Sequence, residues 1–289
     1  MAGRCISSAF LLFVVLSGTA RAELSSEEKE MVKRLTSVGL NTYSQKSFSQ
    51  STGVRSHTTV DSDGSSVIYG VAIAQVLARV SKPKSVDFYG KVKLSQFSLP
   101  GEGTMEDGAE VVVVGDNVWA KKQGETSWTE PDFDDDDNED LLDAFNSFKE
   151  ESIGVETMKY FSAENVERIE LTKAPTKAES CYRILPTREF LFEDADDFFR
   201  QAVEHGQYHT TACVDDTTGF LSSLSFSLEA KDFSVTDDGD QLQVKHTTVD
   251  LKRTYSKFGE PVDFPDVSSP TATRANFPRH HLKSTFFSS

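Results

Sequence analysis

From Phe220 onward the chain alternates. Phe220, Ser222, Leu224, Phe226, Leu228 and Ala230 interleave with Leu221, Ser223, Ser225, Ser227 and Glu229. A period of two residues puts the first set on one face of a strand and the largely polar second set on the other. Asp237-Asp238-Gly239-Asp240 follows as a turn, and Gln241 to Tyr255 reads as the returning strand. A half-apolar hairpin needs further strands, and helices to cover its apolar face. The rest of the chain is read as supplying both.

The length, 289 residues, allows one large β-rich domain or two small ones. The first stretch, MAGRCISSAFLLFVVLSGTARA, carries an early arginine, an apolar run from Ala9 to Leu16, and small residues at Ala20 and Ala22. That is the pattern of a secretory signal peptide cleaved after Ala22, because the run is shorter than the ~20 apolar residues that span a bilayer. No later stretch reads as a transmembrane segment. Residues 23 to 267 read as one β-rich domain. Residues 268 to 289, rich in serine, threonine and proline without periodicity, read as a flexible tail.

Beyond residue 22 two cysteines remain, Cys181 and Cys213, each in a strand-like segment. In an oxidising compartment an even pair favours a disulfide over two buried thiols. The formal net charge of −16 argues against nucleic acid, whose binding rests on lysine and arginine neutralising phosphates. It argues equally against adsorption to anionic membranes.

In chain order, Glu23 to Leu40 reads as a helix opened by a capping box of Ser25 and Glu28, with Gly39 as a stop. Lys46 to Val60 is polar and β-leaning. Residues 67 to 80 permit a helix, but their β-branched content and flanking turns favour a long strand. Val86, Phe88, Val92 and Leu94 share one face of the next strand, and Gly90 marks a bend or a close approach. Ala109 to Pro131 reads as a three-stranded meander whose four consecutive valines suit a strand covered on both faces. Leu141, Leu142, Phe145 and Phe148 form the apolar side of a helix, and Val155 to Phe161 continues as a second helix. Two strands follow, 163 to 171 and 179 to 185. Glu189 to His205 reads as a single amphipathic helix bearing Phe198 and Phe199.

The acidic run DFDDDDNED, 132 to 140, tempts a calcium reading, but it lacks the glycine placement of an EF-hand and enters a helix whose N-terminus favours negative charge. It is read as a solvated loop. His205 and His209 are four apart, yet Gly206 and the following strand pattern separate them, so no metal site is expected. No nucleophile elbow, zinc-protease helix, P-loop or dinucleotide fingerprint is present. No catalytic residue and no cofactor are expected, and an enzyme is the least favoured class.

Three segments carry a family resemblance. VVVVGDNVWAKKQGETSWTEP is a strand, turn and strand closed by a tryptophan; CVDDTTGFLSSLSFSLE runs from acidic residues through threonine and glycine into a strand; VDLKRTYSKFGEPVDFPDV is a final strand with an aromatic, a glycine turn and a proline–valine exit. Together they resemble the LolA-like lipoprotein carriers and the LppX/LprG type of lipid-binding lipoproteins. The resemblance implies an α+β fold: a strongly curved antiparallel sheet, a half-open β-barrel, with a few amphipathic helices on its concave side. It also implies a hollow that holds acyl chains. The chain departs from the family in lacking a lipobox cysteine, and no family site residue transfers to it.

The expected function is a secreted, non-enzymatic carrier of a lipid or other hydrophobic small molecule. The alternative is a secreted protein-interaction module with a closed core; its protein partner cannot be named from sequence. Alternation nominates a ligand-lining set: Phe88, Val92, Leu94, Phe220, Leu224, Phe226 and Leu228 on strands, faced by Phe145, Phe148, Phe198 and Phe199 on helices. The competing reading is that the same residues form a closed core.

Overall fold

The alternating segment becomes strand β9, and its apolar face carries α5 and part of α1. A computed structural model describes residues 23–61, 66–82, 85–98, 105–132, 139–174, 176–193, 195–237 and 240–267. Residues 1–22, read above as a signal peptide, most of the acidic run (133–138), the Asp238-Gly239 tip and residues 268–289, read above as a tail, therefore lie outside the described residues.

Helix α1 (Ser26–Tyr43) leads into β1 (Ser47–Asp61), β2 (Ser66–Lys82), β3 (Ser85–Ser98), β4 (Met105–Val114) and β5 (Asn117–Lys122). Helices α2 (Glu139–Ile153) and α3 (Val155–Lys159) follow. Then come β6 (Val166–Thr172), β7 (Glu179–Pro186), α4 (Arg188–Leu191), α5 (Asp197–His205), β8 (Gly206–Asp215), β9 (Phe220–Asp237) and β10 (Asp240–Ser256). All ten strands join one sheet in the order β5-β4-β3-β2-β1-β10-β9-β8-β7-β6. It consists of two five-stranded meanders, joined where β1 pairs antiparallel with β10. The sheet is curved and does not close, so the molecule is an α+β half-open barrel.

Residues directly opposite in neighbouring strands share a face, so the strand register traces rows across the sheet. One row runs Tyr182, Ala212, Leu224, Arg253, Thr52, and on through β2 to Val92 and Ala109. The concave face is the one these residues occupy, because α1 packs on Tyr182, Ala212 and Leu224. Cys181 and Cys213, directly opposite each other, lie on the other face and are joined by a disulfide. Such a bond persists in oxidising compartments.

Local deviations from the sequence pattern have local causes. The row that begins at Phe220 breaks because Ser223 pairs with Cys213 while Leu221 pairs with Val214, leaving one extra residue in β9. Leu221 therefore joins Leu224 in the core, and Phe220 packs instead on Phe258, 4.7 Å between ring centroids. The capping box of Ser25 and Glu28 is formed, but α1 runs past Gly39 to Tyr43. Gly39 is a point of close approach rather than a stop: a Cβ there would overlap Met158. The single helix expected over 189 to 205 is two, α4 and α5. Asp196 interrupts it by accepting a hydrogen bond from the Phe199 backbone, starting a new helix. The third strand expected near Trp128 is reduced to one bridge, between Ala120 and Thr129.

Candidate functional site

Three apolar clusters occupy the concave face, each under a helix. Val32, Leu35 and Val38 of α1 cover Ile169, Tyr182, Ile184, Ala212 and Leu221. Phe148 of α2, with Phe145 beside it, covers Val76, Phe88, Val92, Val111 and Ala120. Ala202 and Val203 of α5, with Phe198 and Phe199, cover Phe226, Leu228, Ala230 and Phe233. A backbone without a side chain lets α2 come this close, since a Cβ on Gly90 would overlap the Phe148 ring. Over β9 the contacts are aromatic: Phe199 lies 6.2 Å from Phe226, and Phe198 lies 5.6 Å from Phe233.

The helices thus land on the flanks. The main contacts of α2 fall on β2, β3 and β4; those of α5 on β8 and β9; those of α1 on β6 and β9. None of these principal contacts falls on β1 or β10, the two central strands. Their concave rows are Thr52 with Arg253, Val54 with Leu251, Ser56 with Val249, and Thr58 with Thr247. Val54, Leu251, Ser56 and Val249 are only half-buried, whereas Phe226 and Leu228, one strand further on, are 7% and 1% exposed. The centre of the concave face is thus a less covered strip between packed flanks, the trough.

The trough has a polar end. Tyr43 of α1 donates to Thr157 of α3 at 2.9 Å and lies 3.0 Å from the Tyr255 hydroxyl, which lies 3.1 Å from Thr157. The Gln50 amide oxygen joins Tyr43 at 3.3 Å. Arg253 reaches the same group, its guanidinium donating to the Thr157 hydroxyl at 3.3 Å. Burial, then the adjacent Tyr255, hold the Tyr43 phenol well above its ordinary pKa. It therefore stays a donor across the physiological range. Gly154, with φ 74°, turns the chain from α2 into α3 against the Tyr43 ring, a conformation suited to glycine. The opposite end of the trough is marked by the buried hydroxyl pair Thr58 and Thr247, 2.8 Å apart.

The residues nominated from alternation are brought together in two groups rather than one. Phe88, Val92, Phe145 and Phe148 meet on one flank. Leu228 and Phe226 meet Phe198 and Phe199 on the other. Leu224 belongs to the cluster under α1, Phe220 leaves the row, and the Leu94 side chain lies outside the described residues. In this conformation Phe88, Phe148 and Leu228 are filled contacts, each 1% exposed. Strand β1 and its partners Leu251 and Arg253 did not enter the nominated set. The β1 sequence reads polar, with Gln50, Thr52, Ser56 and Thr58 all on the concave side. Its one signal is that this alternation places polar residues at buried positions: Gln50 is 1% and Thr52 5% exposed.

Outside the trough the chemistry is sparse. His205 ends α5 and His209 lies within β8, paired with Ser227. On the outer face His57 and His246 lie 6.2 Å apart, with Glu229 3.3 Å from His246. Among the described residues no group of three metal-ligating side chains is placed to hold an ion. Among them, too, no helix is long and apolar enough to cross a membrane.

No protein-family model matches the chain, and no curated protein matches it. Among solved structures it is similar to lipovitellin, in a structure concerned with lipid–protein interactions, at 8% identity and a TM-score of 0.35 over 84% of this chain. The chain spans 28% of that lipovitellin chain. A DUF1329 family protein from Desulfovibrio piger matches at 9% identity and a TM-score of 0.25, over 83% of this chain and 95% of its own. A domain assigned as an outer membrane lipoprotein-sorting protein, from Vibrio parahaemolyticus, matches at 8% identity and a TM-score of 0.22, over 82% and 94%. Likenesses at this level carry no functional argument.

Proposed function

We propose that this protein is an extracytoplasmic, non-enzymatic carrier of a hydrophobic ligand, received in the trough between α2 and α5. One observation carries the reading. The flanks of the concave face are covered by helices, while Val54, Leu251 and Val249 on the central strands are only half-buried, the last two at the margin of the cluster under α5. Apolar concave surface between amphipathic helices suits a ligand that is itself apolar. Outward movement of α2 or α5 would add Phe145, Phe148, Phe198 and Phe199 to the lining. The Cys181–Cys213 disulfide and the leader-like first 22 residues support an oxidising compartment. The test is native mass spectrometry of the purified protein, followed by delipidation and titration with the neutral fluorescent probe N-phenyl-1-naphthylamine. Bound lipid and saturable probe binding are expected. Neither being seen would overturn the reading.

A second reading, an interaction module, is favoured by the edge strand β6, where Leu171 is 64% exposed and pairs only toward β7. An unpaired edge with an exposed leucine suits strand addition by another chain. Sedimentation of the wild type and Leu171→Lys separates the two: a change of size on substitution favours the edge, and none leaves the trough.

A further inference from the structure

The occupant's chemistry can be read from the ends of the trough, granted that the trough is the binding site. Arg253 sits in a row whose neighbours on one side are Leu224 and Ala212, and on the other Thr52 and, past β2, Val92. Among the described residues of β1 and β10 it is the charged side chain on the concave face. It is half-buried, and its Nε is shielded from solvent. In a chain of net charge −16, a cation placed inside an apolar concavity is the informative exception. Arginine's planar fork matches carboxylate and phosphate oxygens. Beside it the hydroxyls of Tyr43, Thr157 and Tyr255 form a buried, mutually hydrogen-bonded group that accepts one of its N–H donors and so holds the guanidinium at this end of the trough.

Away from Arg253 the floor turns apolar, through Val54 with Leu251 and then Val249, with Phe226 and Leu228 alongside. From the Thr52 row to the Thr58 row is six residues, about 20 Å at ~3.3 Å per residue, the scale of a long acyl chain. We propose that the trough takes an anionic amphiphile, its carboxylate or phosphate head at Arg253 and its tail along Val54, Leu251 and Val249.

The experiment displaces N-phenyl-1-naphthylamine from the delipidated full chain with four competitors: palmitate, lysophosphatidic acid, methyl palmitate and inorganic phosphate. Palmitate and lysophosphatidic acid are expected to compete at roughly ten-fold lower concentration than methyl palmitate, the scale of one charge-assisted contact. Inorganic phosphate, lacking a tail, is expected not to displace the probe. In Arg253→Met the advantage of the anions disappears while the probe itself still binds; Arg253→Lys keeps part of it. Equal competition by palmitate and methyl palmitate in the wild-type protein overturns the proposal without any variant, and leaves the trough reading standing. A folded Arg253→Met protein that keeps the anion preference also overturns it. Displacement by inorganic phosphate alone would mean a phosphate site and no amphiphile. Failure of the probe to bind at all defeats both readings together.

Discussion

At Phe226 the concave face lies under the ring of Phe199; two strands away, at Val54, the same face is only half-buried. The two positions belong to one row of one sheet, through Leu251, and both come from strands with a period of two. The strands do not differ in kind. The helices differ in where they land, and they land where aromatic side chains or a glycine give them a seat. Phe148 has Gly90, and Phe198 and Phe199 have Phe233 and Phe226. The central strands offer Thr52, Ser56 and Thr58, which hold no helix in place by apolar burial. In this fold, then, core and binding surface are separated by the covering layer and not by the sheet.

Four substitutions and one titration probe that contrast. The largest effect is expected from Phe148→Ala on the α2 flank: a loss of about 3–5 kcal/mol in denaturant unfolding, since a fully buried ring is removed. A loss under about 1 kcal/mol would mean that α2 is not anchored there and that flank and centre are alike. Replacing Cys181 and Cys213 by serine opens a 32-residue separation and should cost about 2–4 kcal/mol. Because the bond lies on the outer face, probe binding in the trough should be unchanged, which a fluorescence titration checks. Gly90→Ala forces the Phe148 ring off its seat and should cost about 1–3 kcal/mol, as overpacking does. Its thermal midpoint should fall below that of the wild type. At the centre the order of effects reverses. Val54→Asn should cost less than about 1 kcal/mol yet weaken the neutral probe by roughly ten-fold. A stability loss matching that of Phe148→Ala would make the centre core.

The smallest effect concerns the outer face. Burial, then the Arg183 charge, lower the His209 pKa from its ordinary 6.5. The native state thus favours the neutral imidazole. The stability this contributes is present above pH 6.5 and is lost as pH falls through the lowered folded value. His209→Gln should flatten that acid-side decline slightly, as acid denaturation curves can show, without altering probe binding.

Much of this was legible from residue patterns. The alternation in β9, the return of β10, the capping box of α1 and the aromatic side of α2 each follow from local periodicity or local hydrogen bonding. The disulfide followed from cysteine count and strand-like surroundings. What was not legible depended on register or on packing between distant segments. One extra residue in β9 exchanged Phe220 for Leu221. Asp196 divided a continuous amphipathic pattern into two helices. Gly39 could be told from a helix stop only by the sulfur of Met158 that lies against it. The trough itself was hidden for the same reason: Arg253 and Thr52 look like solvent-facing residues until the β1–β10 pairing puts them on the inner face.

That pairing also sets the order of assembly. Ser51 and Thr254 meet across 203 residues of chain, whereas the other neighbouring strands within each meander are close in sequence. Closing so long a loop is entropically late and kinetically slow relative to local hairpins. Each meander can form as the chain emerges, but the seam between them must wait for the final strand. The floor of the trough is that seam, so its two halves can meet only once the final strand has been made.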